Sequence, residues 1–234
     1  MTKPFRLAAA GALAAMSLGL AACGSGSSGT AAPASPTAAA PMPAPMSAPV
    51  SAPVSATAGD GVTTDADVFG PACDQLPQGD APGSLTSMGP QPVASAASTN
   101  PLLTTLVAAV GRVPGLADTL NSQKGITVFA PDDGAFDQVR SRLGDQAFDG
   151  LLANQQQLGG LLSYHVVPQR YDADGLVDAG TTTELAGGTV TIGGTPEAPT
   201  VTDGQGNTAN VLCGNIPTAN ATVFVIDKVL MPAS

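Results

Sequence analysis

One histidine, no tryptophan and few charges set the first limits on this chain. A lone histidine, His165, excludes an H-E-x-x-H site and any metal centre built from several imidazoles. The three cysteines form no C-x-x-C pair, and there is no P-loop, no G-x-S-x-G nucleophile turn and no G-x-G-x-x-G after a strand. A Ser-His-Asp set would have to use His165 with distant partners, yet His165 sits between Tyr164 and Val166 in an apolar run and reads as a structural histidine. No catalytic residue, metal site or cofactor is expected. Aromatic residues are only 3% of the chain, so the core must come from Val, Leu, Ile and Ala. Charged residues are 11%, a low share that is common in exported proteins, and the net charge is −10. No basic cluster exists, which excludes nucleic acid as a partner, because that binding rests on clustered Lys and Arg displacing counterions. Direct adsorption to an anionic membrane surface is disfavoured for the same reason.

What is present begins with an export signal, Met1 to Ala22. Lys3 and Arg6 give a positive start, and Leu7 to Leu20 form an apolar run too short to span a bilayer securely. The run ends Leu20-Ala21-Ala22-Cys23, which resembles a bacterial lipobox. That resemblance implies diacylation of Cys23 (palmitate-class chains) and anchoring to the outer face of the cell membrane. One acyl chain binds a membrane with only ~10⁴ M⁻¹, whereas several chains anchor stably. An ordinary cleaved signal with an incidental Cys23 is the alternative. Removing the leader leaves 6 basic against 18 acidic residues.

Residues 23–59 start at that cysteine and continue as an uncharged Ala/Pro/Ser/Gly/Thr linker. Such a composition has too little large apolar surface to offset its ordering entropy, so disorder with polyproline II character is expected. At ~3.1 Å per residue it reaches on the order of 100 Å at full extension. A plain spacer and an O-glycosylated stalk both fit its Ser/Thr-with-Pro pattern. Residues 60–88 form a lead-in segment rich in turn pairs (Gly70-Pro71, Leu76-Pro77, Pro82-Gly83) and hold Cys73. With Cys23 lipidated, Cys73 and Cys213 are the remaining thiols, and an even pair in an oxidising compartment reads as a disulfide. It would close a loop of about 140 residues and pin the lead-in segment to the domain, at roughly 4–5 kcal/mol in the chain-entropy account.

The domain proper, 89–234, is organised around Thr127 to Phe136, TVFAPDDGAF. Its first four residues are β-branched, aromatic or small and read as a buried strand. Pro131 stops the strand, and Asp132 or Asp133 caps the helix that follows, to about Leu143. Upstream, Pro92 to Ala97 is a short helix. Asn100-Pro101 reads as N-cap and N1 of a helix ending at Gly111, with Leu102, Leu103, Leu106, Val107 and Val110 on one face. Leu116 to Leu120 is a further helical turn. Phe148, Leu151, Leu152, Leu158, Leu161 and Leu162 are core-facing helical positions. Strands are expected at Thr181–Leu185, Thr189–Ile192, Thr200–Thr202 and Thr208–Cys213, and a last one in Ala221 to Pro232, ATVFVIDKVLMP, buried on both faces. Helices first and strands later make the class α+β, helices packed on a mostly antiparallel sheet.

The two boxes, with Tyr164 and His165 between them, resemble the fasciclin (FAS1) domain family over roughly Gly89 to Pro232. The Cys placement and Thr-Ala-Asn-Ala-Thr-Val before the second box resemble its secreted or lipid-anchored mycobacterial antigens. Two departures stand out: Gly134 replaces a larger residue of the first box, and Gly159-Gly160 interrupt a helix at ~1 kcal/mol each relative to alanine. The resemblance implies a β-sandwich-like wedge of about seven strands with helices around it, a role in cell adhesion or receptor contact, and partner binding at Tyr164 and His165. Two weaker patterns carry no site. Asp172-Ala173-Asp174-Gly175-Leu176-Val177-Asp178 fails the calcium-loop spacing and reads as helix capping. Asn220-Ala221-Thr222 fits a glycosylation sequon but is coincidental in a bacterial export product. The expected protein is a monomeric, non-catalytic, lipid-anchored surface module binding an extracellular protein or glycan. The alternative is an envelope lipid or solute carrier, or a hydrolase, which requires a pocket of ligand size.

Overall fold

The computed structural model describes residues 60–233. The expected export signal, the Cys23 lipidation site and the linker to residue 59 lie outside them. At the centre, β1 (Ile126–Pro131) lies parallel to β7 (Ala221–Ile226), paired from Ile126↔Ala221 to Pro131↔Ile226. Both strands are buried at every position. This explains why neither box alternates apolar with polar: each strand is covered on both faces. Alternate side chains feed two separate cores. Ile126, Val128, Ala130, Ala221, Val223 and Val225 join the helical core. Phe129, Phe224 and Ile226 join the core between the sheet halves, where the two Phe rings lie 6.1 Å apart.

The sheet order is β2 (Val166–Val167), β1, β7, β6 (Thr208–Pro217), β5 (Ala198–Thr202), β4 (Thr189–Thr195), β3 (Thr181–Thr183). All pairs except β1–β7 are antiparallel. β6 turns the corner: Thr208–Asn210 pair with β5, whereas Val211–Pro217 pair with β7 through two register shifts. At the second shift Asn215 takes φ 57°, a left-handed conformation that asparagine tolerates better than most residues. The bulge aims its amide at two other elements. Its oxygen accepts from Ala173 N at 2.9 Å, and its nitrogen donates to Asp67 O at 3.1 Å.

Helices cover the β1–β7 face. They are α1 (Leu85–Met88), α2 (Val93–Thr99), α3 (Thr104–Gly111), α4 (Leu116–Ser122), α5 (Asp133–Leu143), α6 (Asp145–Ala153) and α7 (Gln155–Ser163); α8 (Ala173–Ala179) packs on β3 and β4. Asp132 caps α5 by accepting from Ala135 N at 2.6 Å, and Asp172 caps α8 by accepting from Gly175 N at 2.7 Å. One expected cap is corrected. α3 starts at Thr104, not at Pro101, because Asp133, opening α5, accepts from Thr105 N at 2.7 Å and from Thr104 Oγ1 at 2.6 Å. Asn100 instead closes a local turn onto Leu102 N. β3 is also shorter than expected. Glu184 N bonds Gly188 O and Leu185 N bonds Val166 O, so the chain leaves the ladder after Thr183.

The lead-in segment is fastened along β6 and β7. Cys73 and Cys213 form a disulfide. Phe69 bridges Gly214 through two backbone bonds, and its ring occupies the space a side chain on Gly214 would need. Thr222 Oγ1 donates to Gly61 O at 2.7 Å.

Candidate functional site

Tyr164 and His165 sit where α7 gives way to β2. Asn154 caps α7, accepting from Gln157 N, and Tyr164 closes its last turn. Adjacent residues point to opposite sides of the chain, and both side chains go inward: Tyr164 is 1% exposed and His165 3%. The expected partner contact would therefore have little surface of either ring to meet on the folded protein.

Each polar atom of the pair has a main-chain partner. The Tyr164 hydroxyl donates to Thr189 O at 2.9 Å and accepts from Gly204 N at 3.0 Å. His165 Nε2 accepts from Leu230 N at 2.9 Å, so the proton lies on Nδ1, 2.8 Å from Leu161 O. Burial lowers the His165 pKa to about 4, outweighing the raising effects of the Leu161 carbonyl and Asp203. Burial raises the Tyr164 pKa, and the Asp203 and Glu184 carboxylates add to it. The imidazole is therefore neutral, in one tautomer, with no free lone pair for a base or a metal. The pair ties the end of α7, the start of β4, the β5–β6 turn and the segment after β7 to one another.

Two acids complete this cluster, and neither was singled out from sequence. Asp203 accepts at Oδ1 from Gln205 N and Asn207 N, and at Oδ2 from Met231 N at 2.9 Å. Burial raises its pKa, but these bonds outweigh it and hold the carboxyl below its ordinary value. Asp203 opens the β5–β6 turn, Asp203-Gly204-Gln205-Gly206, and its hold on the segment after β7 is a contact 28 residues away. Glu184 is 2% exposed; Oε1 accepts from Thr182 Oγ1 at 3.2 Å, and Oε2 has no partner. Burial pushes its pKa up to about 8, so it carries a proton at neutral pH. Its only sequence signal is a single acid in a threonine-rich strand run. Gly188 belongs to the same site, because a side chain there would fall 2.3 Å from the Tyr164 ring.

Among the described residues no group of three or more His, Cys, Asp or Glu is placed to hold a metal ion. The sequon residue Asn220 has its amide in use: its oxygen accepts from Val93 N and its nitrogen donates to Leu120 O and Gln123 O. Two concavities open on the helical side. One of about 240 Å³ lies between α2, α3 and α4 over Val128 and His165, with no charged group in its lining. The other, of about 480 Å³, runs between α5 and the segment after β7, beside Arg142 and Lys228.

Comparison with known proteins agrees with this architecture. A family model described as the fasciclin domain matches residues 101–232. The chain is 42% identical over 179 residues to "Immunogenic protein MPB70" of Mycobacterium bovis, covering 71% of this chain and 83% of that protein. It is 39% identical over 180 residues to "Cell surface glycolipoprotein MPT83" of Mycobacterium tuberculosis, covering 71% and 73%. Among solved structures, a FAS1 domain pair from the insect cell adhesion molecule Fasciclin I superposes with a TM-score of 0.52 at 15% identity. That match covers 60% of this chain and 51% of the insect chain, about half its length, and it bears on the fold alone.

Proposed function

The chain belongs to the fasciclin domain family, and from that premise we propose that it is a non-catalytic interaction module displayed outside a bacterial cell. In this reading a lipid on Cys23 holds it to the membrane, residues 24–59 act as the spacer, and residues 60–233 meet an extracellular protein or glycan. The observation that carries the non-catalytic part is the state of the Tyr164–His165–Asp203 cluster. Tyr164, His165 and Asp203 are buried and bonded to main-chain atoms, leaving these three no open position for a reacting group. Names of similar proteins, a cell surface glycolipoprotein and an immunogenic protein, support the outward location. Tyr164 and His165 then serve binding by holding the surface elements in place rather than by contact.

The test is capture on the immobilised, oxidised full-length protein from envelope extract and from matrix extract. The expected result is a macromolecule retained from one extract and displaced by free protein in solution. If neither extract yields a retained species that free protein displaces, the interaction reading is wrong. In parallel, replacing Cys23→Ser is expected to move the protein from the membrane fraction to the medium; unchanged membrane association would remove the lipid anchor from the account.

A further inference from the structure

We propose that the 480 Å³ groove between α5 and the segment after β7 binds a small aliphatic carboxylate, its head on Arg142 and its tail along the groove wall. This claim goes beyond the surface-interaction reading and does not depend on it. The groove falls within the range of small-ligand sites, roughly 300–1,000 Å³. Its apolar wall is Val139, Leu143, Leu151, Val229 and Met231, and Gln138, Gln205 and Asn207 also line it. Leu143 is 49% exposed, one of three large apolar side chains exposed among the described residues, so apolar surface is left uncovered where the groove opens.

Charge is what makes the groove specific. The chain beyond the leader holds six cationic residues against 18 acidic ones, yet two of the six, Arg142 and Lys228, line this one groove. Arg142 is exposed and has no ion pair among the described residues. Acids close in sequence to the groove residues bond elsewhere. Asp137 and Asp145 face Arg140 at 3.7 and 3.9 Å. Asp203 receives Met231 N, and Asp227 receives Asn210 through both oxygens. Lys228 donates to Thr208 O and keeps two further N–H groups. A guanidinium with no ion pair among the described residues, beside the apolar side chains of the groove wall, matches a planar carboxylate, which it takes through paired hydrogen bonds, followed by a methylene chain that needs no polar partner. The other concavity, of 240 Å³, offers no charged group to orient such a head.

The probe is sodium decanoate below its micelle concentration, titrated by calorimetry into the full-length protein, with decanol as the uncharged comparison. Expected are one saturable site with a Kd of roughly 10⁻⁴ M or tighter, decanol weaker by at least fivefold, and methyl shifts at Val139, Leu143 and Met231. Arg142→Gln should weaken decanoate at least fivefold. Arg112→Gln, which removes the same charge from an exposed position outside the groove, should leave it within twofold. Both sites are on the surface, so both variants should fold. Absence of saturable binding, decanol equal to decanoate, equal affinity in Arg142→Gln, or shifts confined to the α2–α3–α4 cavity would each overturn the assignment.

Discussion

At the residue scale the informative groups are two buried titratable side chains with opposite pH responses. His165 has its pKa lowered from 6.5 to about 4, so the unfolded chain takes up a proton that the folded one refuses. Its contribution is complete above pH 6.5 and is lost as pH falls towards 4, at most about 3 kcal/mol for a shift of this size. Glu184 has its pKa raised from 4.5 to about 8, so the folded chain keeps a proton that the unfolded one gives up. Its contribution is complete below pH 4.5 and is lost as pH rises through 8. Stability should therefore rise as pH drops from 8.5 to 6.5, flatten between 6.5 and 4.5 where the two effects oppose, and fall below that. Glu184→Gln should abolish the alkaline slope while keeping the acid one. Denaturation midpoints across pH 4–9 for both proteins check this, and an alkaline slope that persists in Glu184→Gln refutes the assignment.

At the element scale, α7 carries the feature the sequence marked as weak, Gly159-Gly160. The helix forms regardless, because Leu158, Leu161 and Leu162 bury its inner face. Gly159 packs near Val113, whereas Gly160 is exposed with open space around the position of a side chain. Gly160→Ala is expected to stabilise the protein by roughly 0.5–1 kcal/mol, seen as a higher denaturation midpoint. Legibility followed the range of the interactions involved. The β1–α5 box could be read because its determinants are local: Pro131 beside the strand end and Asp132 three residues from the amide it caps. The start of α3 could not, because its cap, Asp133, comes from 28 residues downstream of Thr105. The parallel pairing of β1 with β7 was equally hidden; both strands read as doubly buried, but burial does not fix strand direction. His165 was legible as a structural histidine from its apolar neighbours, whereas the groups that hold the pair, Leu230 and Gly204, are distant in sequence.

At the scale of the whole molecule, the lead-in segment and the domain act as one folded unit across the Cys73–Cys213 bond. Its loop of 140 residues restricts the unfolded chain strongly. Reduction, or the double change to serine, should lower the unfolding free energy by roughly 4–5 kcal/mol in the chain-entropy account and loosen residues 60–77 first, as hydrogen exchange would report. The claim that joins all scales is that the central Tyr-His pair is an internal strut of the fold, held by main-chain partners. Because the chain has one histidine, nitrogen-resolved NMR of the imidazole in the full-length protein tests this without ambiguity. The account predicts one neutral tautomer, protonated at Nδ1, unchanged from pH 8 down to about 5. A ring that titrates near its ordinary value of 6.5 while the protein stays folded would contradict it.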